Sequence, residues 1–436
     1  FAFLMLTPGI SYATTYYVAK TGNDLNPGTE VSPFLNIKRG LSNLSAGDTL
    51  YVKTGAYNES FLSWETTIPS GKSWNEPIVI AAYPGHTVTI NPPSGHAFFW
   101  VKDGQAKYLI IDGFIIDGQK KAHHGFKFSD NTRYIRIQNS EIKNTTSSGI
   151  LLTACGGCSD PTKVPVNTYH QFINLNVHHN GLTKYHHGFY IATSHNLVEG
   201  SEIHHNLGYG IQVFRATYND ANNNIIRKNT IHDNNESGEW GCGLVLGSGK
   251  DNIAHTNLAY GNVNGFCITY RSTDTQLYNN VSFENDISGI RIGKGSNGAQ
   301  VSHNTIYQNG SHGIEITDGA QRSFVRNNIA YKNGSKEIFL NPGGHIDTTI
   351  SHNFTSEPAF VNAQAKDFHL RESSLAIDGG MLISDIPIDY DGMDRIQGTN
   401  PDIGAYENPQ SKDDTSPPKV PVILKISAVQ SSQNPA

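Results

Sequence analysis

The amino-acid sequence predicts an all-β parallel β-helix, a solenoid in which short strands stack coil upon coil. Two kinds of segment indicate this fold. Each of them recurs along the chain about every 24 residues. Short strands at a fixed period bury their apolar faces only by stacking into one continuous core. Composition agrees, since only 16% of the 436 residues are charged and 43 are glycine, which excludes a mostly helical protein.

The first repeated segment is a glycine followed by alternating apolar residues. Successive glycines are 22 to 24 residues apart, except for two longer steps of 39 and 33 residues. Alternation at period two is typical of a strand, so we expect residues one and three after each glycine to point inward. The glycines that begin these strands are Gly125, Gly149, Gly188, Gly210, Gly243, Gly265, Gly289 and Gly313.

The second repeated segment begins and ends with asparagine. Residues 229–234, 280–285 and 304–309 are three of its copies. Asparagine tolerates left-handed corners, and stacked asparagine side chains can hydrogen-bond from coil to coil. We therefore predict roughly a dozen coils with asparagine and glycine at their corners, which at about 4.8 Å per coil make a rod about 55 Å long.

The two ends of the repeat region have their own sequence patterns and are predicted to act as caps. Residues 32–44 contain an N-cap serine, a proline at the first helical position and an apolar stripe, the pattern of an amphipathic helix. We expect this N-terminal capping helix to plug the open end of the core. Residues 373–407 do not repeat, and we expect them to close the other end.

The termini divide the chain into three parts. Residues 1–13 are a short apolar run ending in small residues, which we interpret as the remnant of a secretory signal peptide. Residues 14–407 form the predicted β-helix domain with its caps, and residues 408–436 form a linker or tail that could lead into a further domain. We therefore expect a secreted protein of bacterial type, extracellular or periplasmic, without a membrane span.

Cysteine usage fits an exported protein that does not depend on disulfides. Cys155 and Cys158 flank two glycines and are predicted to form a local disulfide in preference to a metal half-site or a redox pair. Cys242 and Cys267 lie about one repeat apart, and either could be a free buried thiol.

The charge balance limits the partners of the protein. The chain has 32 basic and 38 acidic residues, which gives a net charge of −6. Nucleic-acid-binding domains normally carry a basic excess, so a nucleic-acid partner is not expected. We predict that the protein is a monomer.

Segments at both ends of the chain resemble secreted bacterial right-handed parallel β-helix proteins. Residues 15–29, together with 32–34 and 46–57, are similar to the opening of many such proteins, which include polysaccharide lyases related to pectate lyase family 9. Residues 389–395 and 401–407 resemble the closing segment of the same broad group. The resemblance implies a right-handed β-helix that acts on a polysaccharide, often an acidic one.

The resemblance also implies a chemistry from which this chain departs. Family 9 lyases use a lysine base beside a calcium ion held by clustered aspartates. The corresponding positions here are the histidine pairs before Gly125 and Gly188, without a paired aspartate, so no catalytic residue is transferred. A Ca²⁺ cofactor is expected only because the resemblance implies it. Polygalacturonases share the fold but need an Asn-Thr-Asp segment and an aspartate pair in the coils, and the chain's one aspartate pair lies in the tail.

The middle residue of each glycine-led strand is predicted to point outward and to form a column along the solenoid. We name this the outer column, and it reads Lys127, Leu151, Tyr190, Gln212, Val245, Cys267, Arg291, Glu315 and Phe339. Arg215, Tyr270 and Arg271 follow the same strands, and Trp240 lies in a long insertion beside them. We interpret this face as a basic, aromatic-lined groove for an anionic sugar chain, although long side chains can also merely cover a solvated sheet.

Elimination from a uronate needs a base, a proton donor to the leaving oxygen and a neutralised carboxylate. We therefore predict a polysaccharide lyase that cleaves a uronate-containing chain. The candidate catalytic residues are Lys127, His187, Tyr190 and Arg215. The candidate substrate-binding residues are Gln212, Trp240, Tyr270, Arg271 and Arg291.

Two other functions stay open. A glycoside hydrolase on the same fold could use Glu315, Asp318 or Asp220 as its acid and base. A noncatalytic glycan-binding or surface solenoid needs none of these groups, because a fold does not define a reaction.

The sequence names no metal site. His124, His187 and His312 each precede a glycine, and we interpret them as corner histidines bonded to turns rather than as ligands. Several aspartates between residues 385 and 394 could hold calcium, although a polar turn is the simpler interpretation.

Overall fold

The structure, a computed structural model, describes residues 13–102, 106–130, 132–153, 168–215, 220–234, 241–317, 319–342 and 344–409. Within these residues, three parallel sheets of 13, 11 and 11 strands form the sides of one solenoid. The predicted parallel β-helix is therefore confirmed. The segments predicted as a signal remnant and a tail, and the pair Cys155 and Cys158, lie essentially outside the described residues.

Eleven coils of the described chain contribute one strand to each sheet, and the first sheet has one further strand at either end. The first sheet contains Thr15–Val18, Thr49–Val52, Ile78–Ala82, Leu109–Asp112, Ile135–Gln138, Gln171–Ile173, Leu197–Glu199, Ile225–Arg227, Ile253–His255, Gln276–Tyr278, Gln300–Ser302, Phe324–Arg326 and Thr349–Ser351. The second contains Gly55–Tyr57, Val88–Ile90, Phe114–Asp117, Glu141–Lys143, Asn176–His178, Glu202–His204, Thr230–His232, Leu258–Tyr260, Val281–Phe283, Thr305–Tyr307 and Ile329–Tyr331. The third contains Phe61–Leu62, Ala97–Val101, His124–Phe128, Ile150–Thr153, Phe189–Ala192, Ile211–Val213, Cys242–Leu246, Asn264–Ile268, Ser288–Ile292, His312–Ile316 and Lys336–Leu340.

Two small sheets complete the β structure of the described residues. Ala320–Gln321 pairs with His345–Ile346, and Phe360–Asn362 pairs antiparallel with Asp367–Leu370. A 3₁₀ turn at Ala363–Ala365 joins the last two strands.

The core is a single apolar column that runs through the interior of the coils. In the glycine-led strands, the residues one and three after glycine are buried, as Phe126 and Phe128 show at 0% and 1% exposure. A side chain on the leading glycine would not fit, because a Cβ at Gly188 would lie 2.6 Å from the carbonyl oxygen of Gly210 in the next coil. The glycine repeat is thus explained by close backbone approach at one corner.

Asparagine ladders connect the coils, as the repeats predict. In each ladder the Nδ2 of one asparagine donates to the Oδ1 of the asparagine in the next coil. The two longest ladders run through Asn180, Asn206, Asn234, Asn262, Asn285, Asn309 and Asn333, and through Asn229, Asn257, Asn280, Asn304, Asn328 and Asn353. The left-handed residue is the one before the ladder position, as at Asp233 (φ 49) and Asn279 (φ 53). The ladder asparagines therefore satisfy buried backbone groups, and their neighbours turn the chain.

Replacing a mid-ladder asparagine is expected to destabilise the solenoid. Asn257 is fully buried, its Oδ1 accepts from the backbone N and the Nδ2 of Asn229, and its Nδ2 donates to Ile226 O at 2.9 Å. Asn257→Ala leaves these buried groups without partners, which should lower the free energy of unfolding by about 1–3 kcal/mol. Denaturant unfolding measures the change, with exposed Asn75→Ala as the control. Equal stability of the two variants would contradict a ladder role.

The predicted N-terminal helix is much shorter than expected. It spans Ile37–Leu41, follows an N-cap at Asn36, and packs on the strands Thr15–Val18 and Thr49–Val52. The expected N-cap at Ser32 is wrong, because the first N–H groups of the helix, those of Ile37 and Lys38, donate to the Glu59 carboxylate at 3.0 and 2.9 Å. The plugging role of this single turn stays a prediction.

The non-repeating C-terminal segment lies along the side of the last coils. Its Ile403 and Tyr406 belong to a second apolar cluster that includes Phe283 and Tyr307 of the second sheet. The backbone N of Gly404 donates to Asn327 O at 2.8 Å, and Asn279 Nδ2 donates to Ile388 O at 2.7 Å. The prediction that this segment closes the end of the solenoid is therefore wrong, because its apolar residues are buried against the outside of the coils.

Among the described residues, no helix is long and apolar enough to cross a membrane.

Candidate functional site

The outer column exists in the structure with the predicted register. Strand pairing in the third sheet aligns its members one above another and extends the column by one residue, Trp100, which lies beside Lys127. Eight strand steps separate Trp100 from Glu315, which corresponds to about 38 Å at the usual strand spacing. The third sheet therefore presents a continuous face long enough for several sugar residues.

A lysine–tryptophan cluster occupies the N-terminal part of this face. The Lys127 Nζ lies 3.8 Å from the centre of the Trp100 ring, and the Lys102 Nζ lies 4.9 Å from the centre of Trp64. The two indole rings meet edge to face with their centres 5.1 Å apart. Burial lowers the pKa of Lys127, against the opposing effect of Asp130.

Tyr190 stacks on the buried His187 on the same face. The His187 ring stacks on Tyr190 and on Tyr209, with ring centres 5.7 and 4.9 Å apart. The His187 Nδ1 accepts a hydrogen bond from the Tyr209 backbone N at 3.0 Å, and Gln212 shares a further hydrogen bond with the imidazole. Burial lowers the pKa of His187 to about 3 and raises the pKa of Tyr190. His187 is thus neutral, and Tyr190 keeps its proton.

A pocket of about 490 Å³ lies further along the same face. Its polar and charged lining includes Tyr270, Arg291, Lys294 and Glu315. The Lys294 Nζ lies 5.2 Å from the centre of the Tyr270 ring, so a cation and an aromatic ring stand together at the pocket edge. A second cleft of about 360 Å³ lies on the first sheet beside residues 383–386, away from the outer column.

Glu315 is the one acidic residue of the outer column in the described part of the chain. Its Oε2 accepts a hydrogen bond from Ser288 Oγ at 2.9 Å and lies 3.4 Å from Arg291 Nε. The Glu315 side chain is 15% exposed. The carboxylate is therefore anchored in an ion pair at the pocket wall.

The prediction that Cys242 or Cys267 could be a free thiol is wrong. The two residues form a disulfide with Cα atoms 6.1 Å apart. Cys242 precedes the leading glycine of its strand, and Cys267 belongs to the outer column of the next coil, so the bridge joins two coils across the outer face. The disulfide and Val245 line the pocket.

The remaining predicted site residues have different surroundings. The Arg215 Nη1 donates to both carboxylate oxygens of Asp220 at 2.8 Å, and Arg215 is only 9% exposed. The structure thus holds Arg215 in an internal ion pair rather than in the pocket, and its catalytic role stays a prediction. Arg271 is exposed beyond the strand that carries Cys267, and Trp240 and Asp318 lie outside the described residues.

Several groups on this face were missed at the sequence level. Trp64, Trp100 and Lys102 belong to coils that lack the leading glycine, because Phe98 stands where Gly125 stands in the next coil. The apolar run of residues 97–101 was the available sequence signal for a strand. Tyr209 was missed because the residue before each leading glycine was not expected on the face of the outer column. In the structure, Tyr209 lines the same pocket as Val245, a member of that column.

The described residues of this face do not fit a calcium site. Calcium takes six to eight oxygen ligands, and the outer column offers one carboxylate, already paired with Arg291. In the C-terminal aspartate segment, Asp389 accepts backbone hydrogen bonds from Asp391, Met393 and Glu407 at 2.9, 2.7 and 2.8 Å, so it forms the predicted polar turn.

The interpretation of the histidines before glycine as corner residues is confirmed at two positions. The His124 Nδ1 shares a hydrogen bond with Ser148 O at 2.8 Å, and His187 bonds the Tyr209 backbone. Burial lowers the pKa of His124 to about 4. Both imidazoles are therefore neutral groups that connect coils.

Comparison with known proteins identifies the class of fold. Residues 165–330 match the family described as "Right handed beta helix region". Pectate lyase Pel9A is similar in structure at 18% sequence identity and a TM-score of 0.56, over 92% of this chain and 97% of that one. A rhamnogalacturonan lyase gives 16% identity and a TM-score of 0.53, over 88% of this chain and 99% of that one.

A glycoside hydrolase is among the similar structures as well. The GH136 lacto-N-biosidase from Eubacterium ramulus gives 13% identity and a TM-score of 0.55, over 77% of this chain and 68% of that one. Comparison with curated protein sequences gives no significant match. The chain therefore has a right-handed parallel β-helix fold. That fold is pectate-lyase-like, which confirms the resemblance seen in the sequence at the level of the fold.

Proposed function

We propose that the protein is a secreted polysaccharide lyase that cleaves a uronate-containing chain by β-elimination. The observation that carries this proposal is the outer column itself, where Lys127 and Tyr190 stand two strands apart in register beside a tryptophan pair. A basic and aromatic surface suits an anionic sugar chain, because rings stack on sugars and cations neutralise carboxylates.

The elimination can be assigned to groups on this face. Lys127 and Tyr190 are about 9.6 Å apart at their backbones, and both long side chains can reach a sugar bound over Leu151 between them. The neutral Lys127 amine removes the proton from the carbon next to the uronate carboxylate. The electron pair of that carbon–hydrogen bond forms the new carbon–carbon double bond. The bond to the glycosidic oxygen breaks, and that oxygen takes a proton from the Tyr190 hydroxyl. Lys102 supplies a positive charge beside the carboxylate, which makes the proton more acidic.

The local environment favours these roles. Burial lowers the pKa of Lys127, which increases the fraction of neutral amine that can act as a base. Burial raises the pKa of Tyr190, which keeps the hydroxyl protonated until it donates. His187 stacks on the Tyr190 ring, and Tyr209 stacks on His187, so the phenol is held through the imidazole.

A glycoside hydrolase is the second candidate, because Glu315 lines the pocket of about 490 Å³ on this face. Hydrolysis needs two carboxyl groups separated by about 5–9.5 Å. In the described part of the outer column Glu315 has no acidic companion, and Asp220 is bound by Arg215. The lyase is therefore favoured. The names of the similar structures, two lyases and one biosidase, support a carbohydrate substrate.

Export is supported by the cross-coil disulfide. Disulfides persist in oxidising compartments and are rare in the reducing cytosol. The bridge between Cys242 and Cys267 therefore agrees with a protein that meets its polysaccharide outside the cytoplasm.

An activity screen with two readouts tests the proposal. The full chain is incubated with acidic and neutral polysaccharides, with and without a chelator, while ultraviolet absorbance and reducing ends are followed. A lyase yields both signals because the product is unsaturated. Reducing ends without absorbance would replace the proposal by the hydrolase, and binding without either signal by the noncatalytic solenoid.

Tyr190→Phe is expected to lower kcat about 100-fold on the cleaved substrate with little change in KM, because the ring still stacks on His187 but no longer donates a proton. Steady-state kinetics measure the effect. Tyr185→Phe, at a 73% exposed position, is the matched control and should retain full activity. Full activity of Tyr190→Phe would remove the phenol from the mechanism.

A further inference from the structure

A histidine ladder lies on the outside of the second sheet, away from the face described above. His178, His204 and His232 occupy the same register position in three successive coils. Their rings stack nearly parallel, with centres 4.8 and 4.9 Å apart, and the stack continues onto Tyr260. Stacking requires only aromatic rings at these positions, because Tyr260 and Phe283 continue the column without an imidazole.

A second column stands at the corner that follows each of these strands. The corner residues His179, His205 and Asp233 all have left-handed backbone, with φ of 54, 50 and 49°. The His179 and His205 rings stack with centres 5.2 Å apart. Five imidazoles and a carboxylate thus meet on three adjacent coils.

We propose that His205, His232 and Asp233 bind a divalent transition-metal ion of the Zn²⁺ type. One ligand atom from each of these residues lies within 4.8 Å of the other two. The His232 Nδ1 is hydrogen-bonded to Asp233 Oδ2 at 2.7 Å, and a metal ion would replace the proton that these two groups share. The Asp233 side chain is 45% exposed, which leaves it room to rotate and leaves an open position for water.

The surroundings of His232 fit a metal ligand. Its other ring nitrogen, Nε2, lies 3.2 Å from Glu202 Oε1. With Nε2–H donating to this carboxylate, the Nδ1 lone pair points to the metal position. Metal-bound histidines usually donate their second N–H to a carboxylate in this way, which fixes the tautomer and raises the basicity of the ligand.

The donor set selects the class of metal. Two imidazoles and one carboxylate suit Zn²⁺, Co²⁺, Ni²⁺ or Cu²⁺, whereas Ca²⁺ and Mg²⁺ prefer oxygen ligands. Because His205 and His232 belong to successive coils, the ion would tie one coil to the next. Its role is structural, and it stabilises the solenoid by binding the folded state alone.

Titration of the metal-free full chain, produced without a polyhistidine tag, tests this site. Calorimetry with Zn²⁺ should show one equivalent bound, and Co²⁺ should give the visible absorption bands of a four-coordinate site. Zn²⁺ should raise the unfolding temperature, and a chelator should reverse the rise. Ca²⁺ should give no binding at this site.

Three variants each remove one proposed metal ligand and are chosen to preserve the local fold. His232→Phe keeps the stacked ring, as Phe283 does naturally in the same column, and Asp233→Asn and His205→Asn suit a left-handed corner. Each should weaken Zn²⁺ binding at least tenfold and remove the gain in unfolding temperature. The control is His352→Asn, at an exposed left-handed corner on another face. Equal Zn²⁺ binding by the native chain and these variants, or no binding by the native chain, would overturn the proposal.

Discussion

Lys127→Met is expected to lower kcat/KM of the proposed lyase by about 10²–10⁴-fold, the usual contribution of a positioned base. Methionine keeps most of the side-chain volume beside Trp100 but has no amine. The measurement is initial-rate kinetics by ultraviolet absorbance on the substrate found in the activity screen. Lys121→Met, at an exposed lysine before the same strand, should keep native rates. Native rates for Lys127→Met would remove the base from the proposed mechanism.

The pH profile separates a basic role of Lys127 from a purely electrostatic one. A lysine acts as a base only when deprotonated, so kcat/KM should rise with pH until the pKa of Lys127 is passed. Since burial lowers that pKa, the plateau begins below the ordinary range of lysine. A lysine that only neutralised the substrate carboxylate would lose activity as the pH rises.

Lys127→Arg provides the matching variant. Arginine keeps the positive charge and the contact with Trp100 but stays protonated at every accessible pH. The variant should therefore be as inactive as Lys127→Met. Activity that persists in Lys127→Arg would assign Lys127 to carboxylate neutralisation.

The register of the outer column could be predicted because one backbone constraint recurs in every coil. The close contact at Gly188 admits no Cβ, so glycine marks the same corner each time, and counting from it places Lys127, Tyr190 and Glu315 in one line. Trp100 escaped this counting, because its coil has Phe98 at the glycine position. A pattern defined by one residue type fails where packing tolerates another.

Contacts between coils were harder to anticipate from the sequence. The strand pairing offsets Cys242 from Cys267 by three residues, since Cys242 aligns with Asn264, and the disulfide closes along that diagonal. Arg215 follows an outer-face strand, yet the chain returns five residues later to place Asp220 against its guanidinium. Strand periodicity defines which face a residue occupies, whereas the partner that neutralises it depends on loop paths.

Arg395→Met is expected to lower the free energy of unfolding of the C-terminal segment by about 3–5 kcal/mol, the cost of leaving one partner of a buried ion pair alone. The Arg395 and Glu407 side chains are 2% and 0% exposed. Arg395 donates to Glu407 Oε1 at 2.8 Å and to Asn279 Oδ1 at 2.6 Å, which joins the segment to the coils. Denaturant unfolding and limited proteolysis of residues 373–407 measure the loss.

The pH dependence identifies Glu407 as the origin of that loss. Burial raises the pKa of Glu407, and the Arg395 charge opposes the shift, so removing arginine raises this pKa further. A carboxyl whose pKa is higher in the folded state contributes stability at low pH and loses it as the pH rises. The deficit of Arg395→Met should therefore be smaller at pH 5 than at pH 8, and Arg371→Met, an exposed control, should change stability by less than about 1 kcal/mol. A deficit independent of pH would mean that lost packing of the arginine, rather than an unpaired carboxylate, destabilises the segment.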